Sequence, residues 1–357
     1  MADYKFVLLQ AGVARGELRA LDAALTLRLD EPSDLVLRVN GLSTEAALLQ
    51  PLESDILVYR DGVKVMRCVV GAVQDTLDAQ GHYVDVNAVD YRGRLDRRIL
   101  LADSNHNNEP DVDIAWDLIQ DAQSATGGGM GISLGAVPTG VNRKLTFLAG
   151  ETVRGAIDRI ANVDNGFEWD IDPELQFVAW RAARGENRGR VLDYGGLAAA
   201  VRVNTDPTLF ANAVRVVGDS TTAASVQTDI VAGVGRWDTE TNLPTIDDQD
   251  LVDATAARVL TDGATDWVAY EVLLRDALGV QQWNGLGDIG LGDTVRLVVR
   301  SGRLDVNEDL RVRTLNVRLD GNGGEFVTLQ LGGRRRRVDD RSRDVERRVN
   351  DLELLTE

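Results

Sequence analysis

Residues 55–71 read DILVYRDGVKVMRCVVG. Two β-rich runs, Asp55–Arg60 and Val63–Val70, flank the pair Asp61-Gly62. Asp-Gly between such runs marks a tight hairpin, because Gly accepts the positive φ that the turn requires. Toward the N-terminus, Tyr4–Gln10 is a short apolar run. Leu25–Leu29 and Leu35–Val39 contain stretches alternating at period two, the pattern of half-buried strands. Toward the C-terminus, Val73–Leu77 and Tyr83–Val89 form a further pair around Asp78-Ala79-Gln80-Gly81. The same grammar returns late in the chain. Asp293–Arg300 meets Ser301-Gly302, and Leu310–Leu319 pairs with Glu325–Leu331 around Asp320–Gly324. Residue identity between the two regions is low. The echo fits an internal duplication and, equally, two unrelated β-meanders.

Between these regions the chain changes character. Asp111 or Asp113 is placed to cap a helix running to about Ser124, with Ile114, Leu118, Ile119 and Ala122 on one stripe. A second helix is expected over Thr152–Asn162, followed by a hairpin, Phe167–Ile171 and Leu175–Trp180, around Asp172-Pro173-Glu174. Ala213–Gly218 and Val268–Leu274 read as strands and Gln249–Asp262 as a helix. The expected fold class is mainly β with an α+β insertion. A β domain spans 1–101, an α+β domain 102–196, and a second β domain 197–333 with a helical insertion near 236–265. Over 334–357, Val338, Ser342, Val345, Val349, Leu352 and Thr356 are spaced 4, 3, 4, 3 and 4, the seam of a coiled coil and the expected oligomer interface. A single amphipathic helix docked on its own chain has the same pattern.

Composition narrows the chemistry. The 357 residues carry a formal net charge of −18, a surface that repels phosphate backbones and argues against gripping duplex DNA. One cysteine, Cys68, excludes an intramolecular disulfide and a Cys-rich zinc site, and two histidines remove most imidazole chemistry. No apolar run is long enough to span a membrane, and the N-terminus does not read as a secretory signal. Gly131-Ile132-Ser133-Leu134-Gly135 matches the pattern of a nucleophile turn, but both histidines precede it, so Ser133 reads as a chance match. Cys68 reads as a small buried hydrophobe and His82 as a surface residue beside Gly81. His106 with Asp111 and Asp113 makes a poor metal set. Glu168, Asp170 and Asp172 share one face of a strand, expected to be its solvated side. Trp169, Trp180, Trp237 and Trp283 suit core packing, or stacking on sugars. No catalytic, cofactor-binding or metal-binding residue is expected, and the chain does not read as an enzyme.

Five stretches, taken in order, resemble one family. They are residues 55–71, VDVNAVDYRGRLDRRIL (84–100), NGFEWDIDPELQFVAW (165–180), NAVRVVG (212–218) and 291–332. Together they resemble the hub, or tail-tip minor tail, proteins of long-tailed bacteriophages and, more distantly, the hub of contractile tails. The resemblance implies two tube-type β-barrels per chain and a homotrimeric ring at the distal end of the tail tube, where three copies imitate six. It implies that the C-terminal coiled coil is trimeric. It implies contacts with the distal tail protein, the tape-measure protein and a downstream fibre or spike protein, and a conduit that passes DNA without specifically binding it; an acidic lumen would keep DNA sliding, but the sequence does not say which surface lines it. It implies a location in the virion, no cofactor and no stable membrane insertion. The alternatives are a carbohydrate-binding module for a receptor or cell wall and a cell-wall hydrolase.

Overall fold

The computed structural model describes residues 2–79, 81–163, 165–181, 183–205, 210–218, 224–229, 235–242, 249–265, 268–274, 289–319 and 324–332. The seam Val338, Ser342, Val345, Val349, Leu352 and Thr356 lies outside the described residues, as does Trp283. The fold is mainly β, as expected.

The first ninety residues form β1 (Tyr4–Gln10), β2 (Val13–Leu18), β3 (Ala20–Arg28), β4 (Asp34–Asn40), β5 (Ser54–Arg60), β6 (Val63–Asp78) and β7 (Gly81–Asp90). Alternation places Leu35, Leu37 and Val39 of β4 in the core and leaves Val36, Arg38 and Asn40 outside. Asp61 and Gly62 both have positive φ, 50° and 80°, as a two-residue hairpin turn of matching twist requires. The sequence suggests two strands over 63–77, but the structure has one strand of 16 residues. Gly71 does not end it; it is absorbed as a bulge between Val70 and Ala72.

The pairing order β3-β4-β7-β6-β5-β1-β2 begins and ends on one segment, because only Arg19 separates β2 from β3. The ladders therefore form a circuit. A second circuit is built from β13 (Asn187–Asp193), β14 (Ala198–Thr205), β18 (Val268–Leu274), β19 (Thr294–Ser301), β20 (Leu304–Leu319) and β21 (Glu325–Gly332). Its order, β14-β18-β21-β20-β19-β13, repeats the first with β1 omitted. In the first circuit β1 is antiparallel to both β2 and β5; in the second, β13 pairs directly with β19 and runs parallel to it. The correspondence extends to single residues. β20 also has 16 residues, and its bulge at Arg313 matches Gly71. Bulges at Leu21 and Ala199 match in β3 and β14. With the bulges aligned, the Val36–Asn87 pair of the first circuit falls on Glu271–Gln330 of the second. The echo in sequence is a duplication of topology.

The circuits share one apolar core, in which Leu8, Leu25, Leu37, Ile56 and Val86 join Val272, Leu297, Leu315, Val317 and Leu329. A second core belongs to the region between the circuits. That region comprises α1 (Tyr91–Leu95), β8 (Ser104–Pro110), α2 (Asp111–Ser124), β9 (Ser133–Leu134), β10 (Asn142–Phe147), α3 (Val153–Ala161), β11 (Glu168–Ile171) and β12 (Gln176–Trp180). Thr152 caps α3 by accepting from the Gly155 amide. Asp111 does not cap α2 from outside; it is the first helical residue, and Pro110 precedes it. The long excursion between β14 and β18 also packs here. It contains β15 (Ala213–Val217), β16 (Ala224–Thr228), β17 (Asp238–Asn242) and α4 (Gln249–Thr265), and it contributes Val214, Val216, Leu251, Val252 and Ala256 to the second core.

Candidate assembly interface

Eight strands, β14-β18-β21-β20-β3-β4-β7-β6, lie side by side, four from each circuit. The circuits meet where β3 pairs with β20: Arg28, Leu27, Thr26, Leu25, Ala24 and Ala23 stand opposite Thr314, Leu315, Asn316, Val317, Arg318 and Leu319. A second contact clamps the same junction. The Tyr4 hydroxyl donates to Glu325 Oε1 at 2.6 Å, and Arg60 donates to both oxygens of Glu325 at 3.0 Å. Burial, then Glu325 itself, pushes the Tyr4 hydroxyl pKa up, so it remains a donor.

The outer face of these strands is mostly polar, with Val36 and Phe326 exposed on it, and its charges pair across neighbouring strands. Arg38 donates to Asp85 at 2.7 Å, Arg202 lies 3.5 Å from Glu271, and Arg318 lies 3.8 Å from Asp22. Thr26, Asn87, Asn316 and Thr328 fill positions between them. The chain's excess of acid is not concentrated on this face. Two edges of this eight-strand array are open among the described residues. From Ala200 to Thr205, β14 pairs only with β18; from Ala72 to Asp78, β6 pairs only with β7.

The intervening region is fixed to the first circuit by a buried arginine and to the second by a half-buried ion pair. Arg92, 3% exposed, donates to the carbonyls of Arg28 and Leu29 and to Asp90, and lies 3.3 Å from Asp170 of β11. Arg184 reaches Asp170 at 2.6 Å. Arg311 of β20 grips Glu168 of β11 through both of its terminal nitrogens. Asp293, 1% exposed, accepts from the Glu186 and Gly290 amides and from Arg188. Glu168 and Asp170 therefore hold Arg311, Arg92 and Arg184 and are not the solvated face expected of them. Their even spacing is visible in sequence, but their arginine partners are far away in the chain.

The other candidates fall as follows. Asp111 is fully buried and receives both terminal nitrogens of Arg181, at 2.7 and 2.6 Å, so it does not join His106. Glu109 and Asp117 are the acids near His106. Both imidazole nitrogens are already engaged, with Ser104 at 2.8 Å and Glu109 at 2.7 Å. Ser133 lies in β9, parallel to β12, and not at a strand-to-helix turn. Cys68 is fully buried, and burial raises its thiol pKa well above the usual value. His82 is partly exposed and contacts Asp75 at 2.9 Å. Trp169 packs on Phe177 and donates to Asp158, Trp180 lies under Arg184, and Trp237 is half exposed.

No family model matches the sequence, and no curated protein matches it. Solved structures do match by shape. A tail protein from Neisseria meningitidis superposes with a TM-score of 0.68 at 14% identity, covering 92% of this chain and 96% of that one. The 43 kDa tail protein of prophage MuSo2 from Shewanella oneidensis gives 0.62 at 15% identity over the same shares. An Escherichia coli component of the type VI secretion system, described as structurally similar to the T4 tail proteins gp27 and gp5, gives 0.54 at 10% identity, covering 91% and 76%. The resemblance read from the sequence is matched at the level of the fold: this chain has the fold of phage tail proteins.

Proposed function

We propose that this chain is the structural hub of a phage tail tip, a homotrimer at the distal end of the tail tube. The observation that carries the reading is the repeated circuit. One chain presents two equivalent β units side by side, so three chains present six, which reconciles a sixfold tube with a threefold tip. The fold shared with phage tail proteins supports a structural role.

In this reading each circuit is one tube-type barrel. The first spans 1–101, the second begins at β13 because that strand pairs with β19, and the α+β domain lies between them with the excursion of 210–265 packed on it. The seam of 334–357 continues the threefold axis as a trimeric coiled coil toward a fibre or spike protein. The opposite side meets the distal tail protein. The tape-measure protein and then DNA pass through the centre. We place the outer face of the eight strands toward that centre. Its paired charges make the passage close to neutral, so that DNA slides without being held.

Light scattering on the full chain is expected to give three times the 38.9 kDa protomer mass. A monodisperse monomer in the presence of the neighbouring tail proteins overturns the proposal.

A further inference from the structure

The two circuits are equivalent, but their environments are not. The edge of β20 beyond its bulge is covered by β3 of the same chain. The matching edge of β6 is covered by nothing in the described chain. Matching residues record the difference. Leu319, opposite Ala23 in the joint, is 8% exposed; its counterpart Leu77 is 82% exposed. Leu315 is 1% exposed, whereas its counterpart Val73 is half-buried. On the other side of the joint Ala23 and Leu25 are buried, while their counterparts in β14, Val201 and Val203, are half-buried. Both strands of the missing joint are thus present in each chain, at opposite ends of the eight, with the apolar residues that the internal joint buries.

We infer that β6 of one copy pairs antiparallel with β14 of a second copy, in the register of the internal β3–β20 joint. Aligning the bulges sets Val73 opposite Thr205, Gln74 opposite Asn204, Asp75 opposite Val203, Thr76 opposite Arg202 and Leu77 opposite Val201. The inference rests on the hub reading and names the contact by which that ring closes. A pairing of this kind satisfies the unpaired amides and carbonyls of both edges, which otherwise invite indiscriminate strand addition. It brings the exposed Leu77 onto Val201, as Leu319 meets Ala23. β6 departs from β20 at Asp75, which stands where β20 has Val317. Asp75 comes with a partner on the adjacent strand, His82, at 2.9 Å. The contact is head-to-tail, so repetition yields a closed ring or an open filament according to the rotation between copies.

The test is a pair of cysteines in the full chain, Gln74→Cys with Asn204→Cys. Directly opposed residues on antiparallel strands have Cα atoms about 4.5–5.5 Å apart, within disulfide range. The native Cys68 is fully buried and stays out of the reaction. Mild oxidation is expected to give reducible dimers and trimers on denaturing gels. A mismatched pair, Leu77→Cys with Asn204→Cys, is expected to remain uncrosslinked. The mass of the same sample is read by light scattering before oxidation. A trimer that the matched pair fails to crosslink overturns this joint and leaves the hub reading intact. Crosslinked chains longer than three keep the joint and overturn the trimer. A monomer that does not crosslink overturns both. Separately, Leu77→Asp is expected to abolish assembly with unchanged strand content by circular dichroism; a surviving trimer sinks the inference.

Discussion

At Arg92 the first circuit, helix α1 and the hairpin β11–β12 meet in one guanidinium. Its donors go to two backbone carbonyls and to Asp90, with Asp170 3.3 Å away. Removing it leaves the buried Asp90 without its guanidinium, while Asp170 keeps only Arg184. Arg92→Ala is expected to cost about 3–5 kcal/mol in urea unfolding. Arg92→Lys should recover little, because a single ammonium does not serve such a forked set of acceptors. Asp158 offers a pH-dependent counterpart. Burial raises its pKa, although Arg154 at 3.2 Å and the Trp169 indole pull it down. A carboxyl with a raised folded-state pKa binds its proton more tightly when folded, so its contribution is largest at low pH and is lost as pH rises through that value. In thermal melts from pH 7 down to pH 4, the wild-type chain should therefore gain stability relative to Asp158→Asn. A constant difference between the two would refute the assignment.

The elements show where sequence patterning reaches its limit. Alternation identifies β4, β7 and β19, because half-buried strands must alternate, whereas β5 is read from an unbroken apolar run beside Asp61-Gly62. Alternation splits β6, since a bulge shifts the phase of the pattern by one residue without ending the strand, and it shortens β20 because 304–309, LDVNED, is polar and mostly exposed. Turn and crossing glycines likewise look alike in sequence. Gly62 has a positive φ, but nothing lies within 4 Å of where a Cβ would stand. Gly292 also has a positive φ, and there a Cβ would lie 2.2 Å from the Arg184 carbonyl oxygen, where the chain enters the second circuit. Gly62→Ala is expected to cost about 1 kcal/mol. Gly292→Ala should cost about 1–3 kcal/mol or more, because backbone must move as well as strain. Equal midpoints of the two variants in denaturant would contradict this.

For the whole molecule the decisive quantity is the number of copies. The seam of the proposed coiled coil is short and polar at Ser342 and Thr356, so it is marginal alone and needs the ring to hold its start in register. Val345→Asp with Val349→Asp is therefore expected to loosen the threefold tip and lower the midpoint of trimer dissociation; unchanged dissociation would remove the seam from the assembly.

Much of this fold was legible in the chain itself. Local hydrophobic period, the Asp61-Gly62 turn, the cap at Thr152 and the echo between 55–89 and 293–331 all depend on near neighbours, and near neighbours are what a sequence records. The candidate interface was less legible. Glu168 and Asp170 looked like a solvated face because their partners, Arg311, Arg184 and Arg92, come from other parts of the chain. The β3–β20 joint joins the two ends of the chain, and no local signal distinguishes a strand edge that will be covered from one left open. Tertiary structure decided both, because long-range pairing depends on how two separately patterned sheets fit together and not on the pattern of either.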